Sequence, residues 1–508
     1  MSLKLICNST HREQRVALLE NGQVLELFIE KREKGSVVGN IYNGLVTKIL
    51  PGIQVAFVDI GIFKPGFLYV SSINPKKNGS PDENILSTLE DSGEIKLSDN
   101  QEKRGFPIEE LVTDGESLLT QVSKNPIGSK GPKLSTFITL PGRYVVMLEG
   151  ADNIAISRRI YDDAERERLK ELITELKGDR SVGYIVRTAA AGKGVSEIKN
   201  DIEYLNNLWE QVKNSAKKSR APSLVYQELG LIERSIRDLS DEYSSEVIID
   251  DHKEFLQAKK FCTRYLPHLA DRISFYNEPE PIFDFYNIEI EIERALERKV
   301  WLKSGGYIVI DQTEALTTID VNTGRFTGAF DQEETIFKTN MEAVQEIVYQ
   351  VKLRNIGGLL IIDFIDMGNE DNRAKVFNFL GQKLKNDRQR TNILKISELG
   401  LVEMSRKRVR NSLSRSLMTS CPHCKGQGMV KSPNTIINEI FREITRVAKA
   451  GRSDIMQKVA CKVAPTIANI LLEEESLSLE GNKRFNVDIS VIAEDSFRDE
   501  QYEVAIMG

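Results

Sequence analysis

Thr317-Thr318-Ile319-Asp320-Val321-Asn322 and Gly358-Leu359-Leu360-Ile361-Ile362-Asp363-Phe364-Ile365-Asp366 are two apolar runs that each reach an aspartate where a strand ends. A third run, Tyr307-Ile308-Val309-Ile310, precedes them. Between the two, residues 335–354 place Phe337, Met341, Val344, Ile347, Val348 and Val351 on one helical face, and Gly357-Gly358 stops the helix. A helix between two strands is a β-α-β crossover and predicts an α/β domain with Asp320 and Asp363 at its strand ends. Paired strand-end carboxylates suit a hard cation such as Mg²⁺, which takes a few carboxylates and keeps several waters. Metal-assisted phosphodiester chemistry is the reading that follows. The bland alternative makes both aspartates caps or salt-bridge partners. Glu314 and Asp366 are the nearest other acids and read as supporting residues.

Downstream, Arg406, Lys407, Arg408, Arg410 and Arg415 form a basic run before Cys421-Pro422-His423-Cys424. Such a run is usually a solvated face; here its place between the α/β domain and the cysteines suggests an RNA-lining segment. Cys421 and Cys424 have zinc-ligand spacing, with glycines suited to a knuckle turn. The pair is half of a tetrahedral site, because Cys7, Cys262 and Cys461 are isolated. Either His423 and a distant acid complete the site, or a second protomer does.

The chain has 508 residues, too many for one core, so three or four domains are expected. Its net charge of −6 excludes a uniformly basic chain but not local RNA-binding grooves. Five scattered cysteines form no disulfide framework, which fits a reducing cytoplasm. No uncharged apolar run reaches membrane-spanning length, and Met1-Ser2-Leu3-Lys4-Leu5-Ile6-Cys7 lacks the features of a secretory signal. The four histidines, His11, His252, His268 and His423, form no paired motif, which disfavours a metal-free nuclease leaving cyclic phosphates.

Upstream, residues 1–35 alternate apolar and polar around an Asn21-Gly22 turn signal. Short strands at 41–50, 55–61 and 66–70, punctuated by glycine, predict a small barrel. Residues 74–109 are polar and read as an inserted surface loop. Phe57 and Phe67 fall on neighbouring barrel strands, where they would stack on unpaired bases or fill the core. Lys64 and Lys130 would meet phosphates. Helices are expected at 162–176 and, capped by Ser196 with the charges of Asp201 and Glu203 in its early turns, at 196–213, with a strand at 182–188 between them and a linker at 216–222. After Gly428 the pattern is mixed α and β, with a helix at 435–447 and a strand near 487–492.

Gly39-Asn40-Ile41-Tyr42-Asn43-Gly44, Ala56-Phe57-Val58-Asp59-Ile60-Gly61 and Gly66-Phe67-Leu68 resemble the S1-type domain of the bacterial ribonuclease E/G family. Ile185-Val186-Arg187-Thr188-Ala189, Thr313 through Gly324, Gly357 through Met367, Gly400 through Arg408 and Cys421 through Gly428 extend the resemblance in order over nearly the whole chain. Val321-Asn322-Thr323-Gly324 and the lack of a long basic tail are more similar to the ribonuclease G branch than to the longer ribonuclease E branch.

The resemblance implies an α/β multidomain fold. Residues 1–35 and 233–295 would form a ribonuclease H-like subdomain, and 36–136 an S1-type OB barrel carrying the 74–109 insertion. Residues 137–232 would sense a 5′-phosphate, and 296–416 would be a DNase I-like, metal-dependent catalytic domain. A zinc link at 417–428 would lead to a small α+β C-terminal domain at 429–508. It further implies that Asp320 and Asp363 hold Mg²⁺ while Asn322 orients the scissile phosphate or the attacking water. Arg187 and Thr188 would bind a 5′-monophosphate, with Gly142, Val146, Arg158 and Arg390 completing that pocket or binding RNA near it. Phe57, Phe67 and Lys130 would hold the strand. Cys421 and Cys424 would share Zn²⁺ between two chains, giving a homodimer and a route to a homotetramer. The expected activity is Mg²⁺-dependent cleavage of single-stranded A/U-rich RNA, in ribosomal RNA maturation and message decay, leaving 3′-hydroxyl and 5′-phosphate ends. Without the Asp320/Asp363 pair, the same features would serve a non-catalytic RNA-binding or ribosome-assembly factor. Pro126 and Pro132-Lys133 depart from the family pattern around Lys130.

Overall fold

The computed structural model describes residues 3–32, 37–74, 106–126, 131–178, 180–240, 245–324, 332–385, 387–394, 400–450, 457–473 and 487–507. They form two compact units, Met1–Ser416 and Leu417–Gly508. Most of the 74–109 insertion, and Lys130, lie outside the described residues.

The chain opens with a meander of β1 (Leu3–Ser9), β2 (Glu13–Glu20) and β3 (Gln23–Lys31). Asn21 and Gly22, at φ 49° and 85°, make the two-residue turn that matches the twist of β2 and β3. Next come β4 (Ile41–Leu50), β5 (Val55–Asp59), β6 (Gly66–Tyr69), β7 (Ser117–Lys124) and β8 (Lys133–Ser135). They run β4-β5-β6-β8-β7, and β4 pairs with β7, so a five-stranded barrel closes in the manner of an OB fold. Its interior includes Tyr42, Val46, Ala56, Val58, Leu68, Leu118, Val122 and Leu134. Gly44 is required on β4: a Cβ there would lie 2.5 Å from a Val58 methyl carbon.

A second sheet follows, ordered β11-β12-β10-β9. Its strands are β9 (Thr139–Pro141), β10 (Val145–Glu149), β11 (Ile154–Ile156) and β12 (Val182–Val186). It packs on α1 (Asp163–Lys177) and α2 (Val195–Lys218) through Met147, Tyr184, Leu169, Ile202 and Trp209. Two expectations are corrected here. Gly194, not Ser196, caps α2, because the Glu197 side chain accepts the Gly194 N–H at 2.7 Å and satisfies the helix start. The 216–222 stretch is no simple linker: α2 runs on to Lys218, and β13 (Ser223–Tyr226) pairs with β4 at the barrel edge.

Then come α3 (Leu231–Leu239), β14 (Ser245–Ile249), α4 (His252–Tyr265), β15 (Ile273–Phe275) and α5 (Ile288–Leu296). β14 and β15 join the opening meander in one sheet, β15-β14-β1-β2-β3, with β1 and β14 parallel. One face packs on α3 and α4 through Ile232, Ile236, Phe261 and Cys262. The other receives Ile288 and Ile292 of α5.

The last sheet of the first unit has the order β16-β17-β18-β19-β21-β20. It comprises β16 (Lys299–Trp301), β17 (Tyr307–Gln312), β18 (Leu316–Asn322), β19 (Gly358–Asp363), β20 (Thr391–Ile393) and β21 (Val402–Arg406). α6 (Gln332–Leu353) crosses from β18 to β19, so those strands are parallel, and α7 (Glu370–Leu384) follows β19. Ile308, Ile310, Ile319, Val321, Leu360 and Ile362 point to these helices. Alternation along each strand therefore leaves the opposite face to solvent. The expected β-α-β unit is present.

The second unit holds α8 (Pro433–Ala450), β22 (Gln457–Val463), α9 (Pro465–Glu473), β23 (Val487–Ala493) and β24 (Tyr502–Ile506). Its sheet runs β23-β22-β24 over a core of Ile436, Ile440, Val459, Ile467 and Leu471. No described helix is long and apolar enough to cross a membrane.

Candidate functional site

The carboxylates singled out in sequence stand side by side. Asp320 and Asp363 are register partners on the parallel strands β18 and β19. Paired residues share a sheet face, and both aspartates are exposed on the face away from α6 and α7. Asn322, one pleat further along β18, donates its amide N–H to Asp320 at 2.8 Å. Burial, then the charges of Asp320 and Asp366, push the Asp363 carboxyl above its ordinary pKa. Two like-charged carboxylates in register, neither with an ion-pair partner among the described residues, form a donor pair that a hard divalent cation would relieve. Among the described residues no cluster of three or more His, Cys, Asp or Glu is placed to hold a metal. Two protein oxygens with the remainder left to water and phosphate fit Mg²⁺ better than a metal needing a full protein cage. Glu314 lies in the β17–β18 turn, at the far end of that hairpin from Asp320.

Asn340 holds this strand end and was missed in the sequence. Fully buried in α6, it donates to the Ile365 carbonyl at 2.8 Å and accepts the Ile365 N–H at 3.1 Å. Glu333 accepts the N–H groups of Gly368 and Asn369, both at 3.1 Å. These bonds fix the chain just beyond Asp363. A polar Asn on the apolar stripe of a helix was the available signal.

Gly142, Arg187 and Thr188 also come together. The Arg187 guanidinium donates to the Gly142 carbonyl at 2.6 Å and to Asp238 at 2.7 Å. The Thr188 and Ser157 hydroxyls are 3.1 Å apart. Burial pushes the Asp238 carboxyl up, but Arg237 and Arg187 outweigh it and hold it well below the usual carboxylate range. Asp201, expected only as an early-turn charge of α2, instead accepts the backbone N–H groups of Arg143, Tyr144 and Val145 at 2.8–3.0 Å. Burial nonetheless leaves its pKa raised. A Cβ on Gly142 would lie 2.5 Å from an Asp201 oxygen. Gly142→Ala is therefore expected to destabilise the chain by about 1–3 kcal/mol, read as a lower denaturant midpoint, by spoiling the Asp201 bonds. Val146 lies on the other face of β10 from the helices, against Leu148 and Ile185. Arg158 and Arg390 are exposed. Their neighbours connect, since Arg159 donates to the carbonyls of Asp387 and Arg388, each at 2.5 Å.

Phe57 and Phe67 are register partners on β5 and β6, their rings edge to face with centroids 6.0 Å apart. Neither belongs to the barrel core, which removes the core-filling alternative. Lys133 lies on the Tyr69 ring of the same wall, 5.2 Å from its centroid. Phe67→Ala should fold normally yet weaken oligonucleotide binding by about 1–3 kcal/mol, measured by fluorescence anisotropy.

The basic run reads differently in the structure, and the RNA-lining expectation is corrected for two of its members, Arg406 and Arg410. Arg406 is buried and forms a bidentate pair with Asp387, at 2.7 and 3.1 Å, while donating to the Ile356 carbonyl. Arg408 donates to the Gly357 carbonyl at 2.8 Å. Arg410 donates to the Leu27 carbonyl and stacks on Phe28; burial lowers its pKa to about 10. These guanidiniums fasten strand ends together, while Arg408 and Arg415 stand exposed, Arg415 on a short helix.

In the second unit, Cys421 is exposed and Cys424 half-buried in a turn with Lys425, Gly426 and Gly428 at positive φ. The Gly428 N–H donates to the Cys424 sulfur at 3.3 Å. Hydrogen bonds from Gly428 and Gly426 lower the Cys424 pKa. Backbone donors around a thiolate suit a soft-metal knuckle, and two thiols supply half of a tetrahedral zinc site.

Residues 139–409 match the sequence profile of the ribonuclease E/G family, and residues 420–507 match the thioredoxin-like domain of RNase E/G. The chain is 42% identical over 508 residues to ribonuclease G of Escherichia coli (strain K12), covering all of both chains. It is 40% identical over 511 residues to ribonuclease G of Haemophilus influenzae, again over both full lengths. Ribonuclease E of Haemophilus influenzae is 36% identical over 505 residues, which span 99% of this chain and 52% of that protein.

Proposed function

The chain belongs to the ribonuclease E/G family and is an endoribonuclease of RNA processing, and from that premise we propose that Asp320 and Asp363 carry a Mg²⁺-dependent cleavage of single-stranded RNA. One observation carries the reading: two exposed carboxylates in direct register, one of them hydrogen-bonded by Asn322. Mg²⁺ bound there supplies charge neutralisation at the phosphate and a more acidic water. Asn322 fixes the rotamer of Asp320 and keeps a second amide hydrogen for a phosphate oxygen. The strand-end anchor on Asn340 keeps Asp363 in place as substrate arrives. Water attack with departure of the 3′-oxygen leaves 3′-hydroxyl and 5′-phosphate ends. Family membership decides against a non-catalytic assembly factor.

The substrate class follows from the other clusters. Phe57 and Phe67 stack on unpaired bases, and Arg187 and Thr188 take a terminal 5′-monophosphate. Asp238 and the Gly142 carbonyl preset the guanidinium, which leaves its remaining donors for that phosphate. A/U-rich segments of ribosomal RNA precursors and decaying messages, met in the cytoplasm, are the proposed substrates. The strand order β3-β2-β1-β14-β15 supports a ribonuclease H-like subdomain, and the two-carboxylate sheet a DNase I-like catalytic domain. Cys421 and Cys424 would hold Zn²⁺ with the same pair of a second chain, making a homodimer and a route to a tetramer.

The test is incubation of a 5′-monophosphorylated A/U-rich decamer with Mg²⁺ or with EDTA. Internal cuts with 3′-hydroxyl ends, present only with Mg²⁺, are expected. Cyclic-phosphate ends, or cutting that persists in EDTA, would sink the reading.

A further inference from the structure

The open face of the catalytic sheet carries more than the two aspartates. Register runs across three strands: Trp301 of β16 pairs with Tyr307 of β17, and Tyr307 pairs with Asn322 of β18. One pleat back, Lys299 pairs with Val309 and Val309 with Asp320, which pairs with Asp363. Residues in register, and those two apart on one strand, share a face. Lys299, Trp301 and Tyr307 therefore stand on the same side of the sheet as Asp320, Asn322 and Asp363, in the rows that hold those residues.

These side chains form a built group. Trp301 is 63% exposed. Its ring meets that of Tyr307 edge to face, with centroids 5.4 Å apart. The Lys299 ammonium lies 4.0 Å from the Trp301 ring centroid and 3.5 Å from that of Tyr307. An indole left to solvent at a sheet edge loses the burial that usually retains a tryptophan. Tyr307, held by Lys299 on one side and Trp301 on another, keeps the platform ordered before anything binds.

We propose that Lys299, Trp301 and Tyr307 form a nucleotide subsite beside the cleavage centre, in which a base flanking the scissile phosphate stacks on Trp301 and the Lys299 ammonium meets the adjoining phosphate. The proposal rests on the placement of the cleavage centre at Asp320 and Asp363. An aromatic face takes any base, so the subsite contributes grip and alignment with little choice of sequence. The cation–π contacts hold the ammonium over the rings, where a backbone phosphate running past the stacked base would meet it. This surface is separate from the Phe57/Phe67 wall, which belongs to the barrel. A strand held at both places is gripped on the barrel and again at the bond to be cut.

The chain has two tryptophans, and Trp209, on the core face of α2, is only 5% exposed. Fluorescence therefore reads the subsite directly. A 5′-monophosphorylated A/U decamer would be titrated into the full-length protein in EDTA, where no cleavage occurs, with Trp301→Phe as the blank for Trp209. Saturable quenching in the unaltered protein, absent from the blank, is expected. With Mg²⁺, Trp301→Ala should lower kcat/KM roughly ten-fold or more, while Trp301→Phe restores most of it. Binding seen by anisotropy without any change in tryptophan emission would overturn the proposal. So would equal kcat/KM for the alanine and phenylalanine variants and the unaltered protein. Quenching without Mg²⁺-dependent cutting would count against the metal-site reading alone and leave the subsite standing.

Discussion

Asp363→Asn is expected to lower Mg²⁺-dependent cleavage by about 10²–10³-fold or more while leaving the fold intact. The side chain is exposed at the end of β19, and the carbon skeleton of Asn fits the same space. What disappears is one negative charge of the pair. Asp320 and Asp366 act on Asp363 as like charges, so the metal-free variant should melt no earlier than the parent in EDTA. The two readouts separate the cases. Lost cutting with an unchanged or higher melting temperature identifies a functional carboxylate. Lost cutting with a lower melting temperature would make Asp363 a structural residue, and near-full activity would remove it from the site.

Asp387→Ala is expected to cost about 3–5 kcal/mol, because it leaves the Arg406 guanidinium buried without its partner. The two side chains are only 2% and 4% exposed, and water cannot replace the lost bonds. Denaturant unfolding of the first unit measures the effect. A double replacement, Asp387→Leu with Arg406→Met, should recover much of the loss, since an apolar pair of similar size leaves no charge uncompensated. A single variant within about 0.5 kcal/mol of the parent would show that the pair is solvated after all.

What the sequence disclosed and what it withheld divide along the range of the interactions. The Asn21-Gly22 turn, the barrel strands and the crossover between β18 and β19 are local patterns of period or turn chemistry. The strand-end aspartates could be named for the same reason. That they stand opposite one another could not, because register depends on how α6 packs and returns the chain. Arg406 and Arg410 misled because a run of basic residues looks the same in sequence whether it faces solvent or a set of carbonyls. Their partners Asp387, Ile356 and Leu27 are distant in sequence, and so gave no local signal. Asp201 was likewise read as a helix charge, although three backbone donors near residue 143 claim it. The subsite at Trp301 needed the register of three strands before its place beside Asp320 became visible.

The parallel pairing of β1 with β14 sets a schedule for synthesis. Asn8 hydrogen-bonds Asp250, 242 residues later in the chain. At about 5–20 residues per second, the ribosome needs roughly 12–50 s to deliver that partner. For that interval the opening meander waits with an unsatisfied edge, while the intervening barrel, complete within its own segment apart from β13, can already close. A nascent chain in this position is one that a chaperone shielding exposed strand edges would be expected to attend. Slowing translation after β14 and Asp250 have emerged should leave this protein unaffected, whereas stalling it before that point should expose the β1 edge to aggregation.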